Sequence, residues 1–193
     1  MRILIVVPEQ DRISGNWVTA MRFQQGLRSL GQQVIVEGTG LQPEPRFLER
    51  IQTFAPDVTI LLHAYRSGKP WLQATNDHRL PTVVLLTGTD INHGLEDPQQ
   101  RNVICKTLRQ AELVLIQNPL LARDLSSNHP KLSVNLKELP PGIKLGTEEY
   151  HLRDRHQLAK EATLFLCPAG LRSVKGTLEL LEMFDQVVTH NSD

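Results

Sequence analysis

Several loops of this chain hold side chains that could grip a charged, hydroxyl-rich substrate. Near the C-terminal end, "GLRSVKG" (170–176) sets Arg172 three residues before Lys175, with Gly176 beside them. A guanidinium and an ammonium next to the free N–H groups of a helix start would clamp a pyrophosphate. The alternative is two solvated basic residues on a surface loop. Near the N-terminus, Ser14-Gly15-Asn16 open a helical pattern. Gly15 lets a phosphate approach the backbone closely, with Asn16 beside it as a substrate contact; or the glycine serves only a turn and the helix cap. In between lie His63 with Arg66, and Gly88 with Thr89 and Asp90. His63 can donate to a hydroxyl or phosphate near neutral pH, or be structural, and Arg66 can pair an anion bidentately. Gly88 permits a tight backbone. Thr89 and Asp90 offer a hydroxyl and a carboxylate, either to sugar hydroxyls or to cap the next helix. His63 and Asp90 are the candidate catalytic residues.

The elements that must position these loops alternate between two patterns. "MRILIVVP", "QVIVEG", "DVTILLHA", "PTVVLLTGTD", "ELVLIQN" and "SVNLKELPPGI" are aliphatic runs of strand length. Runs apolar at consecutive positions suit strands buried on both faces of a parallel sheet. Between them, "WVTAMRFQQGLRSLG", "EPRFLERIQTFA", "GKPWLQATND", "DPQQRNVICKTLRQA" and "NPLLARDLSSN" carry helical spacing or helix-start signals. Pro98 and Pro119 suit first-turn positions, and Asn118 is placed to cap. Six strands interleaved with helices predict an α/β fold: a doubly wound, Rossmann-like parallel sheet over residues 1–143. In such sheets ligands bind at the carboxyl ends of the strands, where these loops lie. Residues 144–162 are polar and predict a linker or crossover helix. "ATLFLCPAG" and "VKGTLELLEMFDQVV" then restart the rhythm, predicting an extra β-α unit over 163–193, where a second domain would begin.

Composition excludes several classes. Lys plus Arg and Asp plus Glu are 21 each among 193 residues, so the formal net charge is zero. That balance argues against a nucleic-acid partner or a membrane surface. No apolar run reaches the ~20 residues of a membrane-spanning helix, so no transmembrane segment is expected. Two cysteines, Cys105 and Cys167, outside any CxxC pair and without a secretory signal, predict a reduced, cytoplasmic protein. His63, His78 and His93 are scattered without HExxH or DxD spacing, so no metal site is expected. There is no GxSxG elbow, no P-loop and no readable Cys-His pair. The single glycine after the first strand argues against a nicotinamide or flavin enzyme.

Taken together, the chain resembles the GT-B glycosyltransferases of family 4 (group 1), enzymes with two Rossmann-like domains. In "GLRSVKG", Arg172 and Lys175 stand where that family holds the donor phosphates. "PPGIKLG" (140–146) looks like the family's P-N-G-(V/I)-D segment leading into the interdomain linker, and departs from it at Pro141 and Lys144. "SGNWVTAMR", "LLHAYRSG" and "LLTGTDIN" are similar to segments of the glycosyltransferase 1 domain-containing proteins and the bacterial selenosugar synthases.

The resemblance implies transfer of a sugar from a nucleotide sugar to an unknown acceptor, with retention and without a metal or other cofactor. It places Gly15 near the donor phosphates, His63 near the transferred sugar, and Thr89 and Asp90 on the acceptor side. The family's E-x7-E donor motif is absent; Glu179 and Glu182 come too early for it. The chain is therefore expected to be an incomplete portion, fragment or natural short form, inactive alone. Leu178, Leu181 and Phe184 would be left uncovered, to dock on the N-terminal domain or to form a homodimer through the C-terminal β-α unit. The competing reading is a non-catalytic truncated paralogue acting as a sugar-phosphate or protein-binding module.

Overall fold

The computed structural model describes residues 1–8, 14–75, 80–130, 132–143, 146–147, 149–171 and 173–190. The chain divides into two compact units, Met1–Ile143 and Lys144–Asp193.

The first unit is an α/β fold built on six strands: β1 (Arg2–Pro8), β2 (Gln33–Thr39), β3 (Val58–Leu62), β4 (Thr82–Leu85), β5 (Leu113–Ile116) and β6 (Leu136–Glu138). They form one sheet in the order β2-β1-β3-β4-β5-β6, and every neighbouring pair is parallel. This is a doubly wound, Rossmann-like arrangement. Six of the seven β1 residues are buried, as expected of an interior strand covered on both faces. Side chains alternate between the two faces. Ile3, Ile5 and Val7 join Val34, Ile60, Leu62 and Leu85 on one face, beneath Ala20, Trp17, Phe23 and Leu27 of α1 (Gly15–Ser29). Leu4, Val6, Leu61 and Val84 point the other way.

The second face packs on four longer helices. These are α2 (Pro45–Phe54) through Phe47, α3 (Gly68–Thr75) through Trp71, α5 (Pro98–Gln110) through Ile104 and Leu108, and α6 (Pro119–Asn128) through Leu125. Pro sits in the first turn of α2, α5 and α6, where its missing N–H costs nothing. Asp97 caps α5 by accepting from Gln99 N, and Asn118 caps α6 by accepting from Leu120 N. Helix α3 lies so close to α5 that a Cβ on Gly68 would stand 2.5 Å from Thr107 Oγ1. A one-turn helix, α4 (Thr89–Asn92), interrupts the β4–α5 connection; its four residues are too few for a periodic signal.

Two strand expectations are corrected. "SVNLKELPPGI" contributes only Leu136–Glu138, because β6 is an edge strand and its ladder to β5 covers three residues. "ATLFLCPAG" forms no strand: residues 162–170 carry no ladder bonds. A strand needs a neighbour to satisfy its backbone, and no described strand pairs with this segment.

The second unit begins with a single turn, α7 (Leu152–Arg155), where a linker or crossover helix was expected. Arg153 fastens it by donating from Nη1 to Ala159 O and from Nη2 to Ala162 O, and Arg155 stacks over the Tyr150 ring at 4.6 Å. A 3-10 turn, Ser173–Lys175, leads into α8 (Thr177–His190). Phe165 meets Phe184 edge to face at 5.4 Å. The α8 residues Leu178, Leu181 and Met183 are each more than 60% exposed. No described helix is long and apolar enough to cross a membrane.

Candidate functional site

Strand order reverses at β1: the chain moves to one side for β2 and to the other for β3. In a doubly wound sheet that reversal opens a crevice at the carboxyl ends of the two diverging strands. Here those ends are Pro8 of β1 and Leu62 of β3, the latter running straight into His63.

His63 is held in an unusual state. Its φ is +96°, a region that side-chain-bearing residues seldom occupy, at a cost of about 1–3 kcal/mol. The strain is stabilised locally. His63 Nδ1 accepts from the backbone N–H of Tyr65 at 3.2 Å and of Arg66 at 3.1 Å. Two donors converging on Nδ1 leave no room for a proton there, so the neutral ring carries its proton on Nε2. Nε2–H donates to Thr89 Oγ1 at 3.3 Å. Burial pushes the imidazole pKa below its usual value, the Asp90 charge opposes that, and the Arg66 charge adds to it. The ring is therefore a fixed hydrogen-bond donor and not a ready base. Half-buried Arg66 has its own pKa lowered by desolvation.

Asp90 lies beneath the rim and turns its carboxylate to the backbone. It is fully buried, and its carboxylate is committed to backbone: Oδ2 accepts from Ala64 N at 2.9 Å and Oδ1 from Thr87 N at 3.1 Å. It ties the loop after β3 to the loop after β4. Burial of a carboxylate is tolerated only with such donors. Gly88, at φ +95°, lets the chain swing from Thr87 into α4 so that Asp90 can turn back beneath the loop. Thr89 is exposed, at the mouth of this arrangement. The Thr87 hydroxyl is buried nearby with no partner among the described residues.

Across the switch point, Ser14 caps α1 by accepting from Trp17 N at 3.2 Å. Gly15 is the first residue of the helix, exposed, and a Cβ there would meet nothing within 4 Å. Space alone therefore does not require glycine at this position. Asn16 is half-buried in the same turn. The structure thus brings His63, Arg66, Gly88, Thr89 and Asp90 to one rim, with Gly15 and Asn16 at the neighbouring strand end.

In the second unit, Lys175 is exposed at the end of the 3-10 turn, and Gly176 at φ +61° leads the chain into α8. Arg172 lies outside the described residues.

The strained φ of His63 and the clamp from Asp90 to Ala64 escape sequence reasoning. The first leaves no mark in residue type beyond histidine's mild tolerance of positive φ. The second joins positions 26 apart. No protein-family model matches the chain.

Proposed function

We propose that the chain is part of a nucleotide-sugar-dependent glycosyltransferase, with its first unit serving the acceptor side. The observation that supports this most is His63: a strained, neutral imidazole, locked as an Nε2–H donor at the topological switch point and set beside an exposed hydroxyl. Such a group can hold a sugar hydroxyl in a fixed pose without competing for its proton. In the transfer, the bond from the anomeric carbon to the diphosphate oxygen breaks, a bond to the acceptor oxygen forms, and the acceptor hydroxyl's proton passes to the departing diphosphate oxygen. Charge gathers on the departing diphosphate. Arg172 and Lys175 are assigned to neutralise it, and Gly15 to admit the phosphates near the start of α1. Asn16, Arg66 and Thr89 are assigned to substrate hydroxyls. Asp90 acts through Ala64 and Thr87 as a positioning residue.

Calorimetric titration with a panel of uridine, guanosine and adenosine diphosphate sugars, against NAD, tests the reading. At least one nucleotide sugar should bind, and Lys175→Ala should weaken it by about tenfold or more. His63→Asn keeps an acceptor for Tyr65 N and Arg66 N and tolerates positive φ, so it should fold while losing the Nε2–H donor. Binding of NAD in preference to every nucleotide sugar overturns the proposal. The second reading, a module that binds a sugar phosphate without transfer, draws support from Asp90, whose carboxylate is consumed by backbone donors. Product formation, or its absence, with the natural protein separates the two.

A further inference from the structure

A cavity lies beside that rim. It spans the carboxyl ends of β1 and β2 and holds about 500 Å³, within the range of ligand pockets. Its walls come from both layers: Trp17 from α1, Arg46 and Arg50 from α2, and Glu37 and Thr39 from β2 itself. We propose that this cavity binds the sugar or polyol ring of a neutral polyhydroxylated ligand. The assignment deepens the transfer reading by giving the acceptor a chemical class, and in that respect rests on it.

The argument starts with charge. Glu37 and Glu44 face Arg46 and Arg50, so the lining charges cancel and neither a phosphate nor a cation is favoured. The polar groups are arranged as adjacent donors and acceptors. Arg50 Nε forms an ion pair with Glu37 Oε1 at 2.7 Å, and the Glu37 side chain is only 16% exposed. Beyond that ion pair, the Glu37 carboxylate and the Arg50 Nη groups make no hydrogen bond among the described residues. Side by side, they match a vicinal diol, whose two hydroxyls can donate to one group and accept from the other. Arg46 makes no hydrogen bond or ion pair among the described residues and supplies further donors. The half-buried Trp17 adds an indole, whose electron-rich face attracts the polarised C–H groups on one side of a sugar ring. Neighbouring strands lie roughly 4.8 Å apart, so β2 is about 10 Å from β3 and its His63 end. A ring seated here would reach the His63 rim through one of its substituents.

The chain has two tryptophans, and Trp71 is only 4% exposed, so a ligand-induced change in emission reports on Trp17. The full chain would be titrated with D-glucose, N-acetyl-D-glucosamine, myo-inositol and adenosine, following emission of the Trp71→Phe variant. A saturable change with at least one sugar or polyol is expected. Glu37→Gln and Arg46→Ala should weaken it by about tenfold or more while leaving nucleotide-sugar binding intact. No saturable change with any of the three, a response that both variants retain, or a stronger response to adenosine overturns the subsite. Sugar binding at Trp17 in a chain that binds no nucleotide sugar upholds the subsite and overturns the transfer reading instead.

Discussion

The backbone N–H of Ala64 donates to Asp90 Oδ2 at 2.9 Å, joining the loops after two adjacent strands. A second donor, Thr87 N, reaches Oδ1. Asp90→Ala should cost about 3 kcal/mol, because it leaves two buried N–H groups without an acceptor. Asp90→Asn keeps one acceptor but turns an amide N–H₂ toward the other donor, and should cost about half as much. Urea denaturation measures both. A loss below ~0.5 kcal/mol for the alanine variant would show that the clamp is dispensable.

Acid should weaken the fold through His63. Its folded pKa is depressed, chiefly by burial, so between that value and the unfolded pKa of about 6.5 only the unfolded chain takes up the proton. Stability therefore falls as pH drops below about 6.5, by up to roughly 1.4 kcal/mol per pH unit, and is flat above it. Denaturation of the wild type and His63→Asn at about pH 7.5 and 5.5 checks this. The wild type should lose more than the variant, and parallel losses would assign the acid sensitivity elsewhere.

Two glycines are fixed by contact. In Gly94→Ala the new Cβ would stand 2.6 Å from the Asp90 carbonyl oxygen and 2.6 Å from Ile104 Cδ1. In Gly68→Ala it would meet Thr107 Oγ1 at 2.5 Å and Cγ2 at 2.7 Å. Each should cost about 1–3 kcal/mol by overpacking. Thr107→Ala in the Gly68→Ala background should recover part of the loss. Nothing comparable rescues Gly94→Ala, since its obstacle includes backbone. Thermal denaturation of the single and double variants makes the comparison.

Thr59 offers a gain. It is fully buried in β3, and its hydroxyl has no partner among the described residues. Thr59→Val preserves the shape and removes an unpaired polar atom, so it should stabilise by about 1 kcal/mol. That corresponds to a rise of roughly 2–4 °C in Tm for a domain of this size. A drop in Tm would mean that the hydroxyl is satisfied in solution.

The strands were legible in the sequence because interior parallel strands must be apolar on both faces, and β1 is buried from Ile3 through Pro8. Helix starts were legible where Pro and a capping side chain coincide, as at Asn118-Pro119. The order of strands was not, since aliphatic runs do not name their neighbours; that β1 lies between β2 and β3 emerges only from pairing. The segment 162–170 failed for the same reason. Its apolar pattern fits a strand, but pattern cannot supply the missing partner. At the site, residue type alone did not reveal how Asp90 is held. A carboxylate before a helix reads equally as cap, ligand contact or long-range clamp, and only the fold brings Ala64 to it.

The interior position of β1 also bears on synthesis. Of the six strands β1 is made first, and its second partner, β3, is finished only at Leu62. At typical elongation rates of 5–20 residues per second, the interval from Pro8 to Leu62 lasts roughly 3 to 10 s. For that time the nascent chain carries "ILIVVP" with one flank unsealed, a natural grip for a chaperone that holds emerging hydrophobic segments.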